Sequence, residues 1–430
     1  MKCRLNAMIL LAAPVLLSTS AIAQTSQSLT LHEAEQLALR NHPQIQAAVD
    51  IASASKAQVT QTRSAYYPTI YGSLTGAYAE NNSRIGAGAL NNPVIYDRFA
   101  DGLTASQLVT DFGRTHELVK SSNLHAQAQQ ENIVTTRADV LLQVDQSYFA
   151  VLKAQAVLAV AQETVKARQL VSDQVTELEK NKIKSGLDVS FANVDLAQAQ
   201  LLLIQAQNDL EASFANLSDA LGYSDQRIFV LAEEPVPSSP PVPLAETVQE
   251  ALRDRPELIG QRLDANAAHS YATAERDLWM PTISAVGTAG LIPFRQDLLS
   301  PRYAAAGFNV NIPLFNGHLF GALHTEANER AQAQDEYLRG LQNRIVRDVR
   351  TAWLNANSGF QRLSVTQQLL AQANMALDLA QSRYKLGLSS IVELSQAQLN
   401  QTQAEIAQAS AKFDYEAELS ALDYQTGVSH

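Results

Sequence analysis

The longest stretch of this chain without a glycine or a proline covers 72 residues, from position 114 to position 185. A continuous helix over that stretch would be roughly 108 Å long, at a rise of 1.5 Å per residue. Within it, Val144, Tyr148 and Val151 follow one another at four- and three-residue intervals, which is typical of a coiled coil. Because ordinary globular domains contain much shorter helices, the stretch indicates very long helices that lie side by side.

Gly186 interrupts this stretch, and we expect the helix to end there. A second run without glycine or proline follows and predicts a returning helix of roughly 53 Å. In the second half of the chain, Gly340 and Gly359 interrupt the corresponding long run. We predict one pair of long helices in each half, over 114–185 with 187–221 and over 318–386 with 388–426.

The chain consists of two related halves. The sequence LHEAEQLALRNHPQI at 31–45 matches LAETVQEALRDRPEL at 244–258 with an offset of 213 residues, and the same offset places the first PTI tripeptide on the second. Farther along, KSGL at 184–187 matches KLGL at 385–388 with an offset of 201, and VDLAQAQL matches VELSQAQL with an offset of 198. Two copies of this size indicate an internal duplication, since a solenoid needs three or more short units.

The first residues combine a basic start, an apolar run and a small-x-small motif, so we interpret residues 1–23 as a secretory signal peptide. Cys3, the only cysteine, lies in that segment, and we therefore expect no lipid anchor on the mature chain. The apolar run is shorter than the ~20 residues of a membrane helix, and no later uninterrupted run approaches that length. We assign the repeats to 24–232 and 244–430, on either side of a proline-rich linker at 233–243.

Each repeat also contains two segments with the pattern of β-strands. In AGFNVNIPLF at 306–315, the apolar residues Phe308, Val310 and Ile312 occupy every second position. About ten residues is the length of a tilted outer-membrane strand. Four strands cannot close a barrel alone, and an open sheet edge cannot face lipid. We predict these strands near 68–80, 99–111, 282–292 and 303–314.

The composition excludes several functional classes. The formal charge of −11, from 32 basic and 43 acidic residues, argues against nucleic-acid binding. The eight histidines are scattered, and none forms a pair at metal-ligand spacing with acids nearby. No serine-hydrolase, P-loop or dinucleotide-binding motif is present. We therefore expect no catalytic, cofactor-binding or metal-binding residues, and no enzyme activity.

Three paired features resemble the TolC family of outer-membrane efflux proteins over essentially the whole mature chain. They are the two A-L-R-x-x-P starts, the two PTI strand starts, and the two G-L turns followed by V-[DE]-L-x-Q. The resemblance implies a mainly α fold with a β-barrel part, in which duplicated helical hairpins form a coiled-coil tunnel across the periplasm. It also implies a homotrimer whose four strands per chain form a twelve-stranded barrel in outer-membrane lipid.

The same resemblance implies a passive exit duct of a tripartite efflux pump or a type I secretion system. A periplasmic adaptor (membrane fusion) protein and an inner-membrane pump of RND or ABC type would dock to the periplasmic end. The alternative is a secreted coiled-coil protein that acts as a structural or envelope scaffold and has no channel. Such a scaffold would share the heptads, but it would not need the alternating strands.

Two acids stand at matching positions of the repeats near the start of the returning helices, Asp195 and Glu393. They suit a helix N-terminus because the helix dipole favours negative charge there. In a trimer they would instead form rings that face the lumen and select cations. The family resemblance favours the second interpretation, because an acid at this position lines the periplasmic pore constriction.

The resemblance also assigns Tyr384 to the constriction, where a tyrosine helps to hold the closed state. From its sequence position alone, Tyr384 would be interpreted as an aromatic residue packed in a coiled coil. This chain departs from the family pattern at two places. Ser389 replaces a gating arginine, and Gln396 replaces a second acid that is often found there. The salt links of the family's closed state are therefore not carried over to this chain.

The two turns are candidate adaptor contacts. Glycine permits the reversal of the chain at Gly186 and Gly387. An exposed leucine beside each glycine, Leu187 and Leu388, would then be explained by a docking partner. The simpler explanation is a glycine that ends a helix with a hydrophobic contact beside it.

Overall fold

The computed structural model of the protein describes residues 28–80, 96–233, 235, 240–295 and 297–427. The predicted signal peptide at 1–23 and part of the proline-rich linker at 233–243 lie outside the described residues. Mainly helical structure and a single four-stranded sheet make up the described part, which confirms the predicted fold class.

The two repeats contain the same series of elements. The first repeat comprises α1 (Leu31–Asn41), α2 (Pro43–Arg63), β1 (Thr69–Ala77), β2 (Arg98–Thr110), α3 (Arg114–Lys180) and α4 (Gly186–Ala220). The second comprises α5 (Leu244–Asp254), α6 (Pro256–Arg276), β3 (Thr282–Arg295), β4 (Arg302–Asn311), α7 (Leu319–Lys385) and α8 (Ile391–Thr426).

Prolines fix where the short helices begin. Pro43 and Pro256 are the first residues of α2 and α6, where the missing N–H leaves no hydrogen bond unmade. Pro313 follows β4 closely, and the strand ends at Asn311 instead of reaching the predicted residue 314. A proline cannot donate to the strand ladder, which accounts for the shorter strand.

The long helices α3 and α7 contain 67 residues each, so each is roughly 100 Å long. Gly340 and Gly359 lie inside α7 without interrupting it. Helix α3 ends at Lys180, more than one turn before the predicted residue 185. Helix α7 ends at Lys385, next to the predicted residue 386. Each is followed by a short turn and a returning helix.

The helix bounds correct the predicted alignment of the repeats. Arg114 corresponds to Leu319, Lys180 to Lys385 and Gly222 to Gly427, all with one offset of 205. The offsets of 201 and 198 predicted from the sequence are therefore wrong. The sequence alignment paired Gly186 with Gly387. In the structure, the left-handed residue of the first turn is Lys182, and it corresponds to Gly387 in the second turn.

The helices pack through small side chains at seven-residue intervals. Alanines at 192, 199 and 206 are buried in α4, and their equivalents at 397, 404 and 411 are buried in α8. Helix α3 packs against α4, α6 and α8, while α7 packs against α8 and α6. By length and composition alone, α4 is also apolar enough to cross a membrane.

The middle of α3 anchors the start and end of the first repeat. The hydroxyl of Tyr148 is fully buried and lies 2.8 Å from the carbonyl oxygen of Leu29 and 2.6 Å from that of Ala232. In the second repeat, Trp353 occupies the equivalent position and donates to the carbonyl oxygen of Val242 at 2.7 Å. Each aromatic residue thus holds the segment that enters or leaves its repeat.

Candidate functional site

The four strands form one antiparallel sheet in the order β1–β2–β3–β4. In the register of the sheet, Asp101 of β2 pairs with Leu74 of β1 and with Leu291 of β3. In the same way, Leu103 of β2 pairs with Gly72 and with Ala289. Because side chains alternate along a strand, these leucines share one face with Ile70, Phe308 and Val310. All six side chains are exposed.

The opposite face of the sheet is polar. It carries Thr75, Thr104, Thr288 and Asn309, and the hydroxyls of Thr104 and Thr288 lie 3.3 Å apart. The outer edges of β1 and β4 pair with no strand within the described residues. An exposed face that is mainly apolar although Asp101 lies on it, a more polar opposite face and two edges without a described partner strand are the features of a barrel wall segment.

Aromatic residues lie at both ends of the sheet. Tyr67 and Trp279 stand where the helices pass into β1 and β3, and Trp279 contacts Phe320 edge to face. At the far end, Phe99 and Phe294 pack edge to face with centroids 6.4 Å apart. Aromatic girdles at the two ends of an apolar band are typical of a membrane barrel.

At the opposite end of the molecule, the chain reverses between α3 and α4. Lys182 takes the left-handed conformation with φ 59°, and Ser185 caps α4 in a reciprocal pair with Asp188. Gly186 is therefore the first residue of α4 and not the helix breaker that the sequence predicted. Ser185 sets the start of the helix because its hydroxyl accepts a hydrogen bond from the Asp188 amide.

The turn between α7 and α8 has the same length, and here a glycine does take the left-handed conformation. Gly387 has φ 72°, and Ser390 caps α8. Leu187 and Leu388 are each about two-thirds exposed, with values of 65% and 66%. Ile183 and Leu386 are exposed beside them. The end of each hairpin thus presents apolar side chains to its surroundings.

The common offset of 205 pairs Glu393 with Asp188 and not with Asp195. Both paired acids stand at the third position of their helix, and the amide of each donates to the capping serine. Partial burial raises the pKa of Asp188, but hydrogen bonds from the Ser185 hydroxyl and amide outweigh it and lower the pKa overall. The carboxylate of Glu393 contacts Arg383 Nε at 3.0 Å.

Asp195 lies two turns deeper in α4, where it contacts the second hairpin. Its carboxylate accepts a hydrogen bond of 2.6 Å from the Ser395 hydroxyl on α8. Asp195 and Ser395 line a cavity of about 230 Å³ together with Arg168. The structure therefore joins Asp195 to α8 of the same chain, while Glu393 stands nearer to the turn.

Arg168 is a central residue of this region that the sequence analysis missed. Its buried side chain donates from Nη2 to the Gln398 carbonyl oxygen at 2.8 Å and to the Thr402 hydroxyl at 3.0 Å. Burial lowers the pKa of Arg168, and the carboxylates of Asp195 and Glu405 act in the opposite direction. Its position in the heptad pattern could have indicated that it is buried, because Arg168 lies seven residues from the buried positions 161 and 175.

Tyr384 joins the two turns. Its ring is buried, and Lys184 Nζ from the first turn lies 3.8 Å from the ring centroid. Its hydroxyl is buried without a hydrogen-bond partner among the described residues. Burial raises the pKa of Tyr384, and the charge of Asp188 raises it further. The hydroxyl of Ser389 is likewise buried without a partner among the described residues.

The described residues contain no group of three or more His, Cys, Asp or Glu side chains that could hold a metal ion. The arrangement instead combines a sheet with an apolar outer face and helices long enough to extend far from that sheet. Its charged and apolar groups at the helical end are suited to contacts between hairpins or with a partner.

Comparison with known proteins gives one family for both repeats. The family model for outer membrane efflux proteins matches residues 34–223 and, a second time, residues 247–428. Together the two matches cover most of the chain, and the gap between them contains the proline-rich linker.

Individual relatives are distant but cover most of the chain. The outer membrane protein TolC of Escherichia coli is 21% identical over 412 residues, which cover 93% of this chain and 82% of that protein. The cation efflux system protein CusC of Escherichia coli is 24% identical over 376 residues, 84% of this chain and 78% of that protein. The crystal structure of the outer membrane protein VceC of Vibrio cholerae has a TM-score of 0.80 at 17% identity, and the match covers 92% of this chain and 96% of that chain.

Proposed function

Because this chain belongs to the family of outer membrane efflux proteins, we propose that it forms the outer-membrane exit duct of a tripartite efflux pump or of a type I secretion system. In this role it conducts substrates passively from the periplasm to the exterior and catalyses no reaction. The helices lie in the periplasm, and the sheet anchors the chain in the outer membrane without a lipid group.

The observation that carries this proposal is the sheet. Its mainly apolar face is exposed along all four strands, from Leu74 to Phe308, and the outer edges of β1 and β4 pair with no strand in the part of the chain that the structure describes. In lipid, an apolar face is favourable, but an open edge leaves peptide groups without hydrogen bonds. Further copies of the chain would satisfy both edges. Three copies give twelve strands, a number within the range of bacterial barrels, and the family resemblance supports the number three.

The competing role is a secreted coiled-coil scaffold without a channel. That role would require only the helices. It would leave the apolar face of the sheet and the aromatic residues at both ends in water, which soluble proteins avoid. The sheet therefore favours the conduit.

The helical turns are the proposed docking site for a periplasmic adaptor, through which an inner-membrane pump of RND or ABC type connects to the duct. The support is the exposure of Leu187 and Leu388 beside Gly186 and Gly387. Exposed apolar side chains on a surface that is otherwise polar commonly mark a protein contact.

We further propose that Glu393, Asp195 and Tyr384 belong to the periplasmic constriction. Glu393 stands one turn from the end of its hairpin, half exposed and paired with Arg383. Asp195 lies farther from the end, so the two acids would form two levels and not one matched ring. Rings of carboxylates favour cations in a pore.

Conductance tests the proposed function. The mature protein, purified from outer membranes in a neutral detergent, should migrate as a heat-sensitive trimer and give discrete single-channel steps in a planar lipid bilayer. Heating should abolish both properties together, because a barrel shared by three chains cannot persist in monomers. A monomeric, water-soluble protein without conductance would contradict the conduit and favour the scaffold.

A further inference from the structure

A cavity of about 380 Å³ lies near the helical turns, between α3, α7 and α8. Its walls are mainly apolar, with contributions from Leu170 and Val171 of α3, Leu377 of α7 and Leu394 of α8. Its volume falls within the range of small-molecule sites, ~300–1,000 Å³. Of its lining residues, only Arg168 also lines the cavity that contains Asp195 and Ser395.

The charge of this cavity is unusual for the chain. The protein carries 43 acidic and 32 basic residues, yet the described residues that line the cavity include three cationic side chains and no carboxylate. Arg168 lies at one end, and Lys184 and Lys385 lie at the end near the turns. Asp188, at the start of α4, does not line the cavity, and its carboxylate accepts a hydrogen bond from the Ser185 hydroxyl. A cationic, largely apolar cavity is complementary to a molecule with an apolar body and a negative group.

Tyr384 provides an independent indication of a ligand. It lines the cavity and is 93% buried, since its exposed fraction is 7%, and its hydroxyl has no hydrogen-bond partner among the described residues. Burying a hydroxyl without a hydrogen-bond partner is unfavourable, so buried hydroxyls normally have a partner. The ammonium group of Lys184 lies over the same tyrosine ring, 3.8 Å from its centroid, so a cation and the tyrosine stand together at this end of the cavity.

We propose that this cavity is a binding site for a small amphiphilic anion, such as an aryl or alkyl sulfonate or carboxylate. The apolar body lies between α3, α7 and α8. The anionic group lies at the end near the turns, where Lys184 and Lys385 neutralise it and the Tyr384 hydroxyl donates to it. Bound there, the anion contacts both hairpins at once and stabilises their association.

Calorimetric titration tests the proposal. The full mature protein, in nanodiscs of phosphatidylcholine, is titrated with naphthalene-2-sulfonate and, separately, with the cation 2-naphthylmethylammonium. We expect one saturable sulfonate site per chain and none for the cation. Lys184→Gln with Lys385→Gln should weaken sulfonate binding by about tenfold or more, because it removes the two positive charges that face the anionic group.

Two further variants separate this site from general charge effects. Lys180→Gln with Lys182→Gln removes two lysines of the same turn that do not line the cavity, and it should leave the affinity unchanged. Tyr384→Phe keeps the ring and should weaken binding about three- to tenfold. The proposal is overturned if the wild-type protein shows no saturable site, or if both lysine pairs weaken binding equally. Conductance of the same samples shows separately whether the channel is intact.

Discussion

Gly359 on α7 leaves the space that the carboxylate of Glu418 on α8 occupies. A side chain at position 359 would collide with Glu418 Oε2, which is buried, and would press against the ring of Tyr415. The other carboxylate oxygen of Glu418 bonds to Arg362. The glycine that the sequence analysis treated as an interruption of the helix is thus a contact point between α7 and α8.

Replacing Gly359 with alanine should therefore destabilise the protein, by about 1–3 kcal/mol, because it overfills a packed contact. Gly340→Ala on the same helix is the matched control, since no atom lies within 4 Å of the new methyl group. That change should instead stabilise the helix by about 0.5–1 kcal/mol. Thermal unfolding followed by circular dichroism measures both. If Gly359→Ala raised the melting temperature as Gly340→Ala does, the space beside Glu418 would be large enough for a methyl group and the prediction would be wrong.

Asp145 on α3 predicts a dependence of stability on pH. Burial, followed by the charges of Glu35 on α1 and Asp423 on α8, raises the pKa of Asp145 to about 7, and a hydrogen bond with Ser420 acts in the opposite direction. The unfolded chain loses this proton near pH 4, whereas the folded chain keeps it until about pH 7. Stability that depends on this proton is therefore present below pH 4 and decreases as the pH rises to 7.

Asp145→Asn removes the titration and keeps the shape. We expect the variant to be more stable than the wild type at pH 7.5, by an amount on the order of a few kcal/mol, and to differ little at pH 4. Asp173→Asn, an exposed change on the same helix, is the control. Melting temperatures across this pH range measure the effect. Equal gains at both pH values would show that Asp145 does not keep its proton in the folded protein.

The architecture could be predicted from the sequence because its determinants are local. The absence of glycine and proline over 114–185 predicted α3, and the duplicated sequence predicted the same pair of long helices in the second repeat, where α7 continues through Gly340 and Gly359. The turns could not be predicted in detail, because Lys182 takes a backbone conformation usually reserved for glycine while Gly186 begins a helix. Arg168 was missed because its partners, Gln398 and Thr402, are more than 200 residues away and only the packing of α3 on α8 brings them near.

The two proposed acidic levels lead to a prediction about ion selectivity. Asp195→Ala combined with Glu393→Ala should lower the preference for cations over anions severalfold, because both changes remove carboxylates from the proposed constriction. Asp209→Ala, an exposed acid farther along α4, should leave selectivity nearly unchanged. Reversal potentials under a salt gradient in planar bilayers measure the ratio. If the double variant kept the wild-type selectivity, neither acid would belong to the constriction.

The exposed leucines at the turns lead to a prediction about partner docking. Leu187→Asp with Leu388→Asp places two charges where an adaptor would cover apolar surface, and desolvating them without partners is costly. We expect efflux in cells to be lost, while trimers still reach the outer membrane and conduct ions in bilayers. Leu298→Asp is the control, because this leucine, between β3 and β4 at the opposite end of the molecule, is also exposed, with a value of 79%. That control should retain efflux. Full efflux by the double variant would place adaptor docking elsewhere on the helices.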